Sequence, residues 1–435
     1  MNKKSILTIA GLALAAGVAT PYITKTSIEH LIQNQQQQLS NIGIAFKVIK
    51  DEGFLKSQRD ITIKFTDPQK LLEYLAQNSQ ISIQELNKLT NNGVLLEETS
   101  FKGEITNSNI FPKKIHMQLI PDQLPSGLQK AMQKEPSLQK LITSLKLILD
   151  FNTDGKLTYA TLNDIVIKDH KNLFKVTKPE ITLLNNQHYK SSINNITLNI
   201  NEHRETIFFY VDTITSDNIQ KSPLDIHSVT KIKKIKYTYA KRYHNASYES
   251  DNNSFSSSVN SDNNSVNTLF EYKLNNIAYK ARRVNLGIKD FDLRLSVNGL
   301  SKAPLLDIAN NTGHKNYTQK EMEAKLQEIA NNGFTIALHT DIKDMKFHIN
   351  RQQFNSQTLQ CNLTANIPKN SFNKRSRQRD IMRKLTLKGN IVVDEALVQA
   401  IPPLRRYDTN VTNGLANFAI ELKNQRLYVN KHILR

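Results

Sequence analysis

The chain has 435 residues with one Cys and no Trp, and 58 Lys plus Arg against 39 Asp plus Glu give it a net charge of +19. That length suffices for a large core and for two or three domains. A single Cys excludes an intrachain disulfide and a cysteine zinc cluster, and the cationic excess points to polyanionic partners such as phospholipid headgroups, lipopolysaccharide phosphates or acidic polymers.

The first element is the charge-free apolar run from Ser5 to Ile23, directly behind Lys3 and Lys4. Cations ahead of a single apolar stretch hold its N-terminus in the cytoplasm and send the remainder across the membrane. Residues 1–24 are therefore expected to be a membrane anchor, with Tyr22 at the interface. A cleaved signal peptide ending at Gly17-Val18-Ala19 is the alternative, because the run is close to the shortest that spans a bilayer. A body of this size without disulfides fits a bacterial periplasm better than a eukaryotic secretory route. The expected localisation is the bacterial inner membrane, single pass, with the C-terminal body in the periplasm.

Residues 25–41, with Ile28, Leu31, Ile32 and Leu39 near helical spacing around a Gln-rich run, predict a stalk helix. Residues 42–246 read as a β-rich region. Alternation in Ile44 to Val48 and Ile61 to Phe65 predicts an antiparallel pair around Asp51-Glu52-Gly53. Asp67-Pro68 opens a helix with a stripe of Leu71, Leu72 and Leu75, and Pro136-Ser137 opens another with Leu138, Leu141, Ile142 and Leu145 inward. Leu147 to Phe151 turns at Asn152-Thr153-Asp154-Gly155 and returns from Leu157 to Ile167 as a hairpin. Two or three strands follow between Ile181 and Ile214.

Residues 247–268 contain Ser-Asp-Asn-Asn-Ser twice. They are expected to form a polar low-complexity loop or a solvent-exposed hairpin, too polar to offset ordering entropy. Residues 269–435 read as a second β-rich region. Within it Thr318 and Glu321 form a capping box, Asn331-Asn332-Gly333 ends that helix, Asp394 caps a short helix, and Phe418 to Leu422 pairs with Leu427 to Val429. The expected fold class is α+β and β-dominated: an N-terminal transmembrane helix, then extended antiparallel sheet with a few short packing helices.

The eleven His residues show no metal-ligand spacing, and phosphate-loop, dinucleotide and nucleophile-elbow motifs are absent from the sequence. No catalytic residue, metal or cofactor is expected. Asn201-Glu202-His203-Arg204-Glu205 reads as a strand whose Glu202 and Arg204 share a face as an ion pair. Cys361, inside the alternation Leu359 to Leu363, reads as a small core side chain. Two basic segments are anion-binding candidates. One comprises Lys374, Arg375, Arg377, Arg379, Arg383 and Lys384, whose guanidinium forks match phosphate geometry. The other comprises Lys233, Lys234, Lys236, Lys241 and Arg242, interleaved with Tyr237, Tyr239 and Tyr243. Exposed charged segments serving only solubility are the alternative for both.

The N-terminal Lys3-Lys4-Ser5 before one apolar span, the segment Asp51 to Ser57, and the closing Phe418 to Leu422 and Leu427 to Lys431 resemble the bacterial YdgA-like family, a domain of unknown function. That family carries Arg where this chain has Glu52, and Gly where it has Lys431. The resemblance implies a single-pass inner-membrane protein with a β-rich periplasmic body and no established catalytic residues. Taken together, the sequence predicts a noncatalytic, membrane-anchored periplasmic protein that organises or binds envelope components. Its expected partners are the inner membrane and an anionic lipid or an envelope protein, with no nucleic acid. The alternative is an AsmA-like lipid-binding or lipid-transfer protein, which requires a continuous exposed apolar stripe on the sheet.

Overall fold

The structure is a computed structural model that describes residues 36–37, 39–52, 56–78, 83–90, 96, 99–108, 114–152, 156–169, 171–202, 204–311, 318–349, 352–369, 371, 384–400, 402–407, 410–423 and 426–433. It is β-dominated, with 67% strand and few helices. The chain divides into two compact units, residues 1–195 with 311–316, and residues 196–310 with 317–435. This cut lies well before the 247–268 segment expected to separate the β-rich regions. The predicted anchor and most of the stalk lie outside the described residues. Among the described residues no helix is long and apolar enough to cross a membrane.

The first unit is a sheet with helices packed on one face. Strands β1 (Ile44–Glu52), β2 (Lys56–Phe65), β3 (Ser100–Ser108), β4 (Ile115–Gln123), β5 (Leu147–Phe151) and β6 (Leu157–Leu162) pair antiparallel in chain order. One face of this sheet is apolar, and Ile44, Ile61, Ile63, Met117 and Leu149 on it are buried. Helices α1 (Pro68–Asn78) and α4 (Pro136–Ser144) contribute Leu71, Leu72, Leu138, Leu141 and Ile142 to the same core, as their spacing predicts. Asp67 Oδ1 accepts the Lys70 amide at 3.2 Å, the expected cap. Helices α2 (Ile83–Thr90) and α3 (Ser126–Lys134) add Leu86 and Leu128. Leu39, at the end of the predicted stalk, is buried in this core as well. Gly43, at φ +80°, brings its carbonyl to the amides of Thr66 and Asp67, where a Cβ would strike the Asp67 backbone. The return from Leu157 is broken at Asn163-Asp164, where the Asn163 side chain accepts from the Lys146 amide at 2.6 Å. A further hairpin, β7 (Ile165–Asp169) and β8 (Asn172–Thr177), follows before β9 (Glu180–Asn185).

β10 (His188–Glu202) carries the chain across the cut into the second unit. There β11 (Glu205–Ser222), β12 (Asp225–Lys241), β13 (His244–Ser261), β14 (Ser265–Ala281), β15 (Val284–Ser301), β16 (Phe334–Ile349) and β17 (Gln352–Ile367) form an antiparallel meander. β18 (Thr386–Asp394), β20 (Leu415–Lys423) and β21 (Arg426–Val429) extend it, with β19 (Asn410–Thr412) and β22 (His432–Ile433) as short additions; β20 and β21 are the predicted closing hairpin. Helices α5 (Lys302–Asn311) and α6 (Gln319–Asn331) join β15 to β16. α6 begins with the expected reciprocal Thr318–Glu321 capping box and ends before Gly333 at φ +73°.

One local expectation is decided between its alternatives, and two are corrected. Residues 247–268 take the hairpin rather than the loop of the two forms expected: they lie in β13 and β14, with only Asp262 to Asn264 turning between them. Ladder hydrogen bonds on both sides of each strand order a segment whose composition alone could not. Glu202 and Arg204 do not share a strand face. β10 ends at Glu202, and Arg204, at φ +74°, belongs to the turn into β11. Asp394 precedes helix α7 (Glu395–Ala400), yet its carboxylate serves β17 instead: Oδ2 accepts from Ser356 Oγ at 2.7 Å and from the amides of Gln357 and Thr358.

Candidate functional site

The seven strands β11 to β17 hold 16 to 18 residues each, well above the common length of up to about 10. At about 3.4 Å per residue and about 4.8 Å between strands, they span roughly 55–60 Å by 30 Å. Side chains alternate between faces, so each strand sorts its residues into two sets. One set is mainly apolar and the other carries most of the charges.

Every one of these strands also contains a step in which two inward positions are three apart rather than two: Val211/Ile214, Ile232/Ile235, Ser250/Asn253, Leu274/Ile277, Ile288/Phe291, Ile342/Met345 and Ser356/Leu359. The steps are in register. Val211 stands opposite Ile235 and Ile214 opposite Ile232; Ile235 stands opposite Ser250, Ser250 opposite Ile277, Leu274 opposite Phe291, and Met345 opposite Ser356. Four strands make the step with a left-handed residue, Thr213, Asn252, Asp290 or Asp344. Asn and Asp tolerate that conformation because their short polar side chains bond locally.

The step keeps one face apolar on both sides of the line. Met345 and Phe347 pack around the same cluster as Leu359 and Ile391, although strict alternation would divide them. The line is also a crease. Apart from Val266, every residue of β11 to β17 that is buried among the described residues lies on it: Val211, Ser250, Asn253, Leu274, Ile288 and Ser356. The amides that the crease frees on β17 are the ones Asp394 accepts.

Away from the crease the apolar face is covered only in part. α7 and the 3₁₀ turn Pro402–Arg406 lay Leu397, Val398 and Leu404 over β17, β18 and β20. Across β11 to β16 the face is half-exposed, and Phe270 and Leu295 are each 39% exposed. Phe255 and Tyr272 stack with centroids 4.4 Å apart, and Phe291 meets Tyr272 edge-on at 5.7 Å. The Tyr272 hydroxyl donates to Asn253 Oδ1 at 3.0 Å, and burial first, then neighbouring Tyr248, pushes its pKa up to about 12. Ser250 Oγ and Asn253 Nδ2 are buried without a hydrogen-bond partner. Toward β11 and β12 the face becomes polar, where Ser216, Asn218, Ser228 and Thr230 bond one another.

The opposite face is a ladder of ion pairs, and it holds most of the second basic candidate. Lys233 meets Asp212 at 3.1 Å, Lys234 meets Glu249 and lies 3.6 Å from Asp251, and Lys236 is 3.7 Å from Glu249; Lys241 meets Glu205 at 3.0 Å at the strand ends, on the side of Tyr239 and Ile235. Hydrogen bonds within these pairs hold Asp212, Glu249 and Glu205 below the usual carboxylate range and raise Lys234 and Lys241. These lysines are neutralised in place. Arg242 has an aromatic partner, lying over the Tyr243 ring at 5.2 Å. Of the first basic candidate, Lys374, Arg375, Arg377, Arg379 and Arg383 lie outside the described residues, leaving Lys384.

Cys361 is half-buried on the apolar face, and burial pushes its thiol up, away from a reactive thiolate. In the first unit Asp150, almost fully buried, accepts His116 Nδ1 at 2.8 Å and Lys114 at 2.5 Å. This is a closed ion cluster: no hydroxyl or thiol nucleophile is bonded to that imidazole among the described residues. Nor do three His, Cys, Asp or Glu residues converge as a metal site among them. A shallow concavity lined by Asn410, Glu421, Lys423, Tyr428 and Lys431 opens on the polar face of β20 and β21. Neither protein-family models, nor curated proteins, nor solved structures match this chain. The stepped apolar face is thus the feature with the clearest functional content, and its signal, a spacing of three inside each alternating run, was present in the sequence.

Proposed function

We propose that this protein is a noncatalytic lipid-binding protein of the bacterial cell envelope, tethered to the inner membrane by its N-terminal apolar run, with the stepped face of its second unit receiving acyl chains. The observation that carries this reading is the half-exposed apolar surface across β13 to β16, which extends onto β11 and β12 only on the Val211 and Ile235 side of the step. Soluble monomers rarely expose contiguous apolar patches beyond a few hundred Å². A face of this extent calls for an apolar occupant, and an acyl chain gains about 0.8 kcal/mol for each buried CH₂. The first unit sharpens the contrast, since its sheet covers its own apolar face with helices. A scaffold protein has no need to leave the second face open.

The resemblance to the YdgA-like family and the +19 net charge agree with an envelope location beside anionic lipid. The reading is tested by mass spectrometry of the full chain extracted in mild detergent. Phospholipid retained at one or more molecules per chain is expected, whereas lipid-free protein holding a defined protein partner on this face returns the assignment to a scaffold. An enzyme reporter fused after Arg435 tests the location: activity of an export-dependent reporter is expected, and a reporter active only in the cytosol overturns it.

A further inference from the structure

Alternate turns of a meander return to the same end of the sheet. In the second unit the β10–β11, β12–β13 and β14–β15 turns are brought together by register: Glu205 stands opposite Lys241, Lys241 opposite His244, Ala246 opposite Ala281, and Ala281 opposite Val284. These turns carry Arg204, then Arg242 with Tyr243, then Arg282 with Arg283, all exposed. Within residues 202–205, 241–244 and 280–284, Arg204, Lys241, Arg242, Lys280, Arg282 and Arg283 stand against only Glu202 and Glu205.

This end differs from the charged face in how its cations are satisfied. Along the strands Lys233, Lys234, Lys236, Lys273, Lys289 and Arg294 each meet a carboxylate. Among the described residues the four turn arginines have no carboxylate partner, and Glu205, beside Arg204, is taken by Lys241. Tyr243 is 68% exposed at the tip of its turn. Helices α5 and α6 lie at the other end, where Asn332 Nδ2 donates to Ser301 Oγ at 3.1 Å and the Lys302 amide donates to the Asn264 carbonyl at 3.1 Å. The exposed arginine turns thus stand at the end away from α5 and α6.

We propose that this arginine rim docks the open end of the apolar face onto a membrane rich in anionic phospholipid. Guanidinium forks take headgroup phosphates, and Tyr243 enters the interfacial layer where amphipathic rings are favoured. Unpaired guanidiniums pay no penalty for breaking an internal ion pair, which is why the rim suits this role better than the paired strand lysines. The inference rests on the lipid-binding reading above, since it gives the acyl-chain face a surface to draw from.

The test places the full chain in phosphatidylcholine nanodiscs and measures by flotation its capture of added vesicles, made of phosphatidylcholine with or without phosphatidylglycerol. Capture of the phosphatidylglycerol vesicles alone is expected, weakening as salt rises. A variant combining Arg204→Gln, Arg242→Gln, Arg282→Gln and Arg283→Gln is expected to lose at least tenfold in capture, since each surface cation near an anionic bilayer is worth about fivefold. Its copurifying lipid should be unchanged. Capture equal to the parent chain, or equal capture of both vesicle types, overturns the rim. Capture that depends on the arginines in a chain that copurifies with no lipid keeps the rim and removes the acyl-chain reading. Should the fourfold variant fail to fold, Arg282→Glu with Arg283→Glu gives the same readout.

Discussion

Ser250 and Asn253 lie three residues apart on one strand and are both buried on the same face, at 0% and 1% exposure. A regular strand would send them to opposite faces. Asn252, at φ +51°, supplies the local reversal that brings both inward, and the same step recurs in register across β11 to β17.

Ser250 Oγ has no hydrogen-bond partner. Burying an unpaired hydroxyl costs roughly 1–3 kcal/mol on protein mutational scales, so Ser250→Ala should stabilise the chain by about 1 kcal/mol. A thermal melt reads the effect as a rise in Tm. A clear fall would mean that the hydroxyl has a partner in solution.

Thr213 makes the same step on β11 at φ +41°, with a β-branched side chain that fits the left-handed region poorly. Thr213→Asn should relieve that strain and stabilise by about 1 kcal/mol, while Asn252→Val should destabilise by about 1–2 kcal/mol. Denaturant titrations of the two variants must move in opposite directions. Shifts of the same sign would sink the account of the step.

Acid should loosen the charged face. The hydrogen bond from Lys234, followed by the attraction of Lys234 and Lys236, holds Glu249 below its ordinary value of 4.5. A depressed folded pKa contributes stability above the unfolded value that is lost as pH falls through the folded one. Stability should therefore decline below pH 4.5, and Glu249→Gln should shrink that decline. The change should be small because the pair is partly solvated. Melts of both proteins across the acid range compare the slopes; a steeper decline in the variant contradicts the pairing.

Phe270 and Leu295 stand opposite each other on β14 and β15 and are exposed enough to accept charge without breaking the fold. Phe270→Glu with Leu295→Glu should leave the melting transition near that of the parent and reduce retained phospholipid at least tenfold, since carboxylates in an apolar contact carry a heavy desolvation cost. Lipid content unchanged in the folded variant argues that acyl chains do not lie there.

Much of the architecture was legible along the chain. The stripes of α1 and α4, the Thr318 capping box and the closing hairpin follow from spacing and turn chemistry, because each depends on neighbours within a few residues. The 247–268 segment reads as loop or hairpin alike for the opposite reason. Its Ser and Asn residues have weak intrinsic preference for a strand, and pairing on both sides by β12 and β14 overrode it. Asp394 likewise reads locally as a helix cap, yet freed amides on β17 claim its carboxylate.

The candidate site was legible only in fragments. Lys233, Lys234, Lys236 and Lys241 form a cationic run when read along the strand, but the carboxylates that neutralise them come from adjacent strands. The unpaired turn arginines lie up to 79 positions apart, from Arg204 to Arg283, and no linear window joins them.

Sequence alone determined the β-dominated class, the strand alternation, the principal helix starts and the basic balance, because backbone periodicity and capping are local. Only the tertiary structure decided which charges are paired, where the steps align into a crease, and which apolar face stays open. Those properties depend on register between strands, and register is set by hydrogen bonds between segments distant in the chain.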